Sequence, residues 1–92
     1  MGNIPKIRGV KKIVKTELVP FTRQLASMSA AGMPILSTMQ TLEEQCDNPE
    51  FKKVLTHIRA TIESGEPMSH ALAAFPKIFD DMYVNMVVAG GR

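Results

Sequence analysis

Two histidines and one cysteine are the side chains of this sequence most suited to metal binding or nucleophilic chemistry. His57 and His70 have no histidine or cysteine four residues further on, and neither lies in an H-E-x-x-H pattern, so their spacing does not match a zinc site. Cys46 has no second cysteine with which to form a disulfide or a metal pair. The sequence therefore predicts two surface or boundary histidines and a small buried thiol.

Adjacent carboxylates occur at Glu43–Glu44 and at Asp80–Asp81. Neighbouring residues on a helix point about 100° apart, so neither pair forms a convergent acid–base site by itself. Asp80 and Asp81 fall where a new helix is predicted to begin, and acidic residues stabilise that end of a helix. The alternative is that they supply oxygen ligands to a structural divalent cation, such as calcium, at a subunit contact. We expect no other cofactor.

The serines and glycines lack the sequence context of an active site. No serine lies in a G-x-S-x-G elbow. Gly65 and Gly90 each fall at a predicted helix end, which is a sufficient structural reason for them. By elimination, the chain is predicted to be a binding or scaffold module and not an enzyme.

Length and composition predict one small globular domain. The chain has 92 residues, of which 45% are hydrophobic and 22% are charged. A chain of this size buries roughly 60–65% of the surface of its unfolded form. No run approaches the ~18 apolar residues that a membrane helix needs, so we expect this segment to be soluble.

The net charge of +2 conceals an asymmetry. Residues 1–15 carry five basic and no acidic residues, whereas residues 16–92 carry six basic and nine acidic residues. We interpret residues 1–15 as a basic flexible arm, because Gly2, Pro5 and Gly9 interrupt its scattered apolar residues. An alternative is a polybasic strip that meets anionic lipid. Nucleic-acid binding is disfavoured, because the positive charge does not cover a folded face.

Residues 16–92 show the periodicity of five amphipathic helices. The first is predicted to have Thr16 as its N-cap and to end at Gly32, and the second begins at Pro34. The other three begin at residues 48–49, at Ser69 as N-cap, and at residues 79–81. Loops of two to five residues favour an all-α antiparallel bundle.

Large apolar side chains define the predicted core of this bundle. The four phenylalanines are assigned to it: Phe21, Phe51, Phe75 and Phe79. The fifth helix is predicted to turn one stripe inward: Phe79, Met82, Tyr83, Met86 and Val87.

Arg23 and Gln24 are the candidate partner-binding residues. Both lie outside the apolar stripe of the first helix. Arg23 could form a bidentate contact with a carboxylate of a partner, or it could brace the bundle internally with the same geometry. The sequence leaves these two alternatives open.

A series of short motifs occurs in the order found in a known protein family. They are Phe21-Thr22-Arg23-Gln24-Leu25-Ala26, Ala31-Gly32-Met33-Pro34-Ile35, Asn48-Pro49, Gly65, Ser69-His70-Ala71-Leu72, Phe75-Pro76, Phe79, Tyr83-Val84-Asn85-Met86 and Ala89-Gly90. Over residues 18–91 the chain resembles the first cytoplasmic domain of the type II secretion F protein family. Members of that family are polytopic inner-membrane platform proteins of type II secretion systems and type IV pili.

The resemblance implies a six-helix antiparallel bundle, in a parent protein with two such domains separated by membrane helices. It also implies a position on the cytoplasmic face of the bacterial inner membrane. The implied role is a non-catalytic scaffold that contacts the secretion or assembly ATPase and other inner-membrane platform subunits. The ATPase would hydrolyse ATP, and this domain would offer a shaped surface to it.

Two departures from the family pattern shape further expectations. Gly91 stands where the family usually has glutamate, so no role of that acid carries over. We also interpret residues 16–92 as a family domain that lacks its C-terminal helix. A bundle lacking one helix leaves an apolar groove uncovered, and we therefore expect dimerisation. The alternative function is a free-standing helical adaptor that binds an amphipathic partner helix in such a groove.

Overall fold

A computed structural model describes residues 4–90, which form six α-helices and no strand. Each helix packs against the next one in the chain, as expected for a bundle with short connections. The predicted all-α fold is confirmed, and the last five helices are the five predicted ones. The helices are α1 (Val10–Thr16), α2 (Leu18–Ala30), α3 (Ile35–Gln45), α4 (Pro49–Glu63), α5 (Met68–Ala73) and α6 (Asp81–Gly90).

Glycines with left-handed backbone end two of these helices. Gly32 has a φ of 85° and Gly65 a φ of 100°. After α2, the Gly32 N–H donates to the Ser29 carbonyl at 3.0 Å, and the Met33 N–H donates to the Met28 carbonyl at 3.1 Å. This pair of hydrogen bonds is a Schellman cap, which satisfies the last carbonyls of the helix. The chain can therefore reverse sharply into α3.

The helix restart predicted around residues 47–50 is confirmed at the start of α4. The Asn48 side-chain oxygen accepts the N–H of Glu50 at 2.9 Å and that of Phe51 at 3.0 Å. Pro49 occupies the first turn, where its missing N–H costs nothing. This cap sets the register of α4 and so turns Phe51 into the core.

The four phenylalanines all lie in the core, as predicted, with exposed fractions of at most 5%. Phe21 of α2 lies edge-on to Phe51 of α4, with 5.5 Å between ring centroids. It is also tilted against Phe79, at 6.0 Å. Aromatic pairs at such distances stabilise a core beyond the area that they bury. One ring therefore connects α2, α4 and the segment that leads into α6.

Helix α1 lies within the segment interpreted above as a flexible arm, so that interpretation is wrong for residues 10–15. Ile13 is only 1% exposed, and Val10 packs against the same core. The two positions are three residues apart and share one face of a helix. The helix ends at Thr16 because Pro20 has no N–H to donate to the Thr16 carbonyl. Residues 1–3 of the predicted arm lie outside the described residues.

Two of the predicted N-caps are also wrong. Thr16 ends α1 instead of starting α2, and its hydroxyl donates to the Lys12 carbonyl at 2.8 Å. Such back-bonding gives a threonine hydroxyl a partner without a cap. Ser69 lies inside α5, which begins at Met68 behind Pro67. The N-cap is Pro67, two residues before the predicted one, and Met68 in the first turn packs against the core.

The predicted inward stripe of the last helix is confirmed at Phe79, Tyr83 and Val87 and is wrong at Met82 and Met86. Met82 is 80% exposed and Met86 is 55% exposed, although both were assigned to the inward stripe. Tyr83 and Val87, which were assigned to the same stripe, do pack against the core. The Tyr83 hydroxyl is hydrogen bonded to the Thr22 hydroxyl of α2 at 2.6 Å, which fixes the rotation of α6. A helix that is apolar on most sides does not specify its own inward face.

Among residues 4–90, none of the helices combines the length and the apolar character needed to span a membrane. Gly91, where the family pattern has glutamate, lies outside the described residues. The absence of a C-terminal helix from the family domain stays a prediction, as does the domain boundary at residue 16.

Candidate docking surface

A cleft opens between the start of α2 and the corner that joins α3 to α4. Its volume is about 170 Å³, below the roughly 300–1,000 Å³ typical of small-molecule sites. A space of this size accommodates one side chain of a partner protein. The floor is apolar and includes Phe21, Leu42, Phe51 and Leu55, and the rim is polar and includes Glu17, Gln24, Gln45 and Asp47.

The α3–α4 corner gives the cleft its shape. Cys46 leaves the helix in an extended conformation, with φ of −76° and ψ of 122°. Its thiol donates to the Asn48 carbonyl at 3.4 Å. The cap at Asn48 then restarts the helix, so that Phe51 forms part of the cleft floor while Asp47 is exposed at the rim.

Negative charge dominates the electrostatics of the cleft. The pKa of the Cys46 thiol is raised, mainly by burial. The hydrogen bond between the thiol and Asn48 lowers this pKa, whereas the carboxylates of Glu17 and Asp47 raise it further. The weaker effect of Lys52 opposes the two carboxylates. The sulfur is therefore a neutral thiol at neutral pH and a poor nucleophile. An apolar floor under an acidic rim suits the aliphatic stem and charged head of a lysine or arginine.

The structure separates the two predicted partner-binding residues. Gln24 is exposed and lines the cleft. Arg23 is also exposed, but adjacent residues point about 100° apart around a helix. The two side chains therefore do not form one common site. The exposure of Arg23 argues against its role as an internal brace.

Arg59, and not Arg23, forms an ion pair that links two helices of the bundle. Its Nε donates to Oε1 of Glu43 on α3 at 2.6 Å, and its Nη1 donates to Oε1 of Glu63 at 2.8 Å. The Thr56 hydroxyl donates to the other Glu43 oxygen. Burial raises the pKa of Glu43, but the hydrogen bonds from Thr56 and Arg59 outweigh burial and hold the pKa below its ordinary value. The sequence signal for this clamp is limited to the four-residue spacing of Arg59 and Glu63.

Asp80 has a structural role at the start of α6. Its Oδ1 accepts the Tyr83 N–H at 2.8 Å, and Asp81 is the first residue of the helix. The helix-start interpretation of these two acids is confirmed. Across residues 4–90, no three His, Cys, Asp or Glu side chains gather in the way a metal site requires. The structure therefore adds no support to the calcium alternative at Asp80 and Asp81.

The two histidines lie at the positions predicted for boundary and surface residues. His57 is half-buried, and its ring lies edge-on to Phe75 with 5.3 Å between centroids. His70 is exposed, and its Nδ1 lies 2.7 Å from Oε1 of Glu66. Both imidazoles thus have contacts within the bundle that account for their positions.

Comparison with known proteins identifies a clear set of relatives. The profile of the family described as "Type II secretion system (T2SS), protein F" matches residues 21–92. A type IV pilus assembly protein PilC from Myxococcus xanthus is 41% identical over 87 residues, which are 95% of this chain and 20% of that protein. PilC from Pseudomonas aeruginosa is 36% identical over 80 residues, covering 87% of this chain and 21% of the relative. A type II secretion system protein F from Vibrio cholerae is 34% identical over 76 residues, covering 83% and 19%.

Proposed function

The chain belongs to the type II secretion system protein F family, and we propose that it is a cytoplasmic docking domain of an inner-membrane platform protein. The family match across residues 21–92 is the observation that carries this proposal. The relatives are named for type IV pilus assembly or for type II secretion. This chain spans about a fifth of their length. The parent protein would cross the membrane several times, with this segment on the cytoplasmic face.

The proposed domain is a scaffold and not an enzyme. The side chains that first suggested chemistry have structural partners: Asp80 caps α6, and His70 contacts Glu66. Cys46 is held as a neutral thiol by burial and by the carboxylates around it. ATP hydrolysis would be the task of a separate ATPase, and this domain would bind that ATPase and other inner-membrane platform subunits.

We place the ATPase contact at the cleft between α2 and the α3–α4 corner. The rim residues Glu17 and Asp47 supply negative charge, and Gln24 supplies an amide that can donate and accept hydrogen bonds. The partner group that fits this chemistry is a lysine or arginine side chain. Charge complementarity of this kind contributes to the association rate and to specificity.

A charge introduced at Gln24 tests this placement. Gln24→Lys brings a positive side chain to the rim and is expected to weaken binding of the cognate assembly ATPase about tenfold or more, because it repels the incoming basic group. Binding would be measured by pull-down and by surface plasmon resonance. Gln40→Lys is the matched control, since Gln40 is exposed on α3 outside the cleft.

The comparison of Gln24→Lys with Gln40→Lys shows whether the ATPase binds at the cleft or elsewhere on the surface. Equal affinities for the two variants would contradict the cleft as the contact site. Arg23→Ala is run beside them, because Arg23 lies on a different side of α2. A loss of binding in Arg23→Ala alone would move the contact to that side of the helix.

Self-association is a second part of the proposal. Met82 and Met86, four residues apart on α6, form an exposed apolar strip. We expect the chain to form homodimers through this strip. Met82→Glu/Met86→Glu should shift sedimentation equilibrium towards the monomer, whereas Val19→Glu, at a position of α2 that is 55% exposed, should not. If the chain without substitutions is strictly monomeric at high concentration, this expectation is contradicted.

The same strip supports the alternative of a helical adaptor. Methionine side chains adapt to different apolar surfaces, so an amphipathic partner helix could dock on them. Family membership favours the platform function over a free-standing adaptor. A requirement for the Met82–Met86 strip in ATPase binding, with Gln24→Lys harmless, would move the ATPase contact from the cleft to this strip.

A further inference from the structure

Helix α1 presents a basic face that the docking function does not use. Lys11, Lys12 and Lys15 are exposed on it, while Ile13 on the opposite side is 1% exposed and packs into the core. Lys6 is exposed in the non-helical segment just before the helix. The positive charge therefore covers one side of a folded element.

This basic face is attached firmly to the bundle. The Arg8 N–H donates to Oε1 of Glu50 on α4 at 3.0 Å, which holds the segment before α1 against α4. Ile13 anchors the helix itself. The four lysines are thus presented together by a folded body and not by a loose tail.

The charges of these lysines are not neutralised within the fold. The ion pairs found in residues 4–90 involve Lys53, Arg59 and His70, and none involves Lys6, Lys11, Lys12 or Lys15. Arg8 differs: the hydrogen bond from its backbone N–H is the largest cause that lowers the pKa of the Glu50 carboxylate, and its charge adds a smaller effect in the same direction. Four positive charges therefore remain available for an external anionic surface.

We propose that the lysine face of α1 binds the anionic headgroup surface of a phospholipid bilayer. This inference rests on the proposed function, which places the domain beside a membrane. Lysine carries a compact, strongly hydrated charge, which suits diffuse attraction to a charged plane better than bidentate recognition of one group. Residues 4–17 contain no aromatic side chain on which a nucleic-acid base could stack. A bilayer therefore fits the face better than an oligonucleotide.

The mode of binding follows from the burial of Ile13. The apolar side of α1 is occupied by the core, so the helix has no apolar face to insert among the acyl chains. Binding is electrostatic and peripheral. It should therefore be abolished by salt, because the Debye length falls from about 10 Å at 0.1 M to about 3 Å at 1 M.

Vesicle co-sedimentation tests the proposal. The folded chain should bind vesicles of equimolar phosphatidylglycerol and phosphatidylcholine at low salt, and it should not bind pure phosphatidylcholine. Each lysine near an anionic surface contributes about fivefold in affinity, so Lys11→Gln/Lys12→Gln/Lys15→Gln should weaken binding roughly a hundredfold. Circular dichroism would confirm that the variants are folded.

The matched control is Lys52→Gln/Lys53→Gln/Lys77→Gln. It changes the net charge by the same amount at three exposed lysines outside α1, and it should retain most of the binding. Three results would each overturn the proposal. The first is an equal loss of binding in the two triple variants, and the second is vesicle binding that survives high salt. The third is tighter binding to duplex DNA or polyglutamate than to the vesicles. ATPase binding by the α1 variant is expected to be unchanged, so failure of the lipid proposal and failure of the docking function give different results.

Discussion

Phe21→Ala is expected to lower the free energy of unfolding by about 3–5 kcal/mol, because it removes a buried ring and leaves a cavity. The ring is 4% exposed and contacts the rings of Phe51 and Phe79. Small domains have total stabilities of only about 5–15 kcal/mol, so this one change removes much of the total. Urea denaturation followed by circular dichroism measures the effect.

Val19→Ala is the control for this substitution. Val19 lies on the same helix but is 55% exposed, so its truncation should change stability by only about 0.5 kcal/mol or less. A domain of this size loses about 4–8 °C of melting temperature per kcal/mol. If Phe21→Ala melts within a degree or two of the chain without substitutions, the assignment of Phe21 to the core is wrong.

Ile13→Ala is expected to cost about 2–5 kcal/mol, the range for truncation of a fully buried aliphatic side chain. The reason is that α1 belongs to the core through Ile13, which is only 1% exposed. The adjacent Lys12→Ala is the control, since Lys12 is exposed on the same helix. Thermal unfolding of the two variants gives the comparison.

The Ile13 experiment decides between two descriptions of the N-terminal residues. A flexible arm predicts that both variants unfold like the parent chain. A helix packed on the bundle predicts a large loss for Ile13→Ala alone. The lipid-binding proposal needs the second result, because a basic face can be presented as a unit only if α1 is folded onto α2.

The long helices could be predicted from the sequence because their signals agree with one another. In α4 the Asn48–Pro49 start, the apolar spacing and the glycine that follows all indicate one helix. The same holds for the corner at Gly32, where positive φ is required and only glycine adopts it readily. Once the helix starts and ends were placed, the apolar spacing assigned the four phenylalanines to the core.

Helix α1 and the exposure of Met82 and Met86 on α6 could not be predicted in the same way. A helix of seven residues is marginal in isolation, so its formation depends on packing that the local sequence does not encode. Helix α6 is apolar on several sides, and the bond between Tyr83 and Thr22, 61 residues apart in sequence, fixes its rotation. Long-range contacts of this kind leave no periodic signal.

The candidate surface was predicted only in part. Gln24 was singled out and does line the cleft, but Arg23 beside it points elsewhere. The acidic rim combines Glu17 with Asp47, which are thirty residues apart in the chain. Their proximity depends on how α2 meets the α3–α4 corner, which helix periodicity alone does not specify.

The most direct test of a docking function is a calorimetric titration of the folded chain into the cognate assembly ATPase. We predict saturable heat of binding, with Gln24→Lys binding more weakly than Gln40→Lys, and no nucleotide hydrolysis by the chain when it is alone. A folded chain that gives no binding heat, or that hydrolyses nucleotide by itself, would contradict the account.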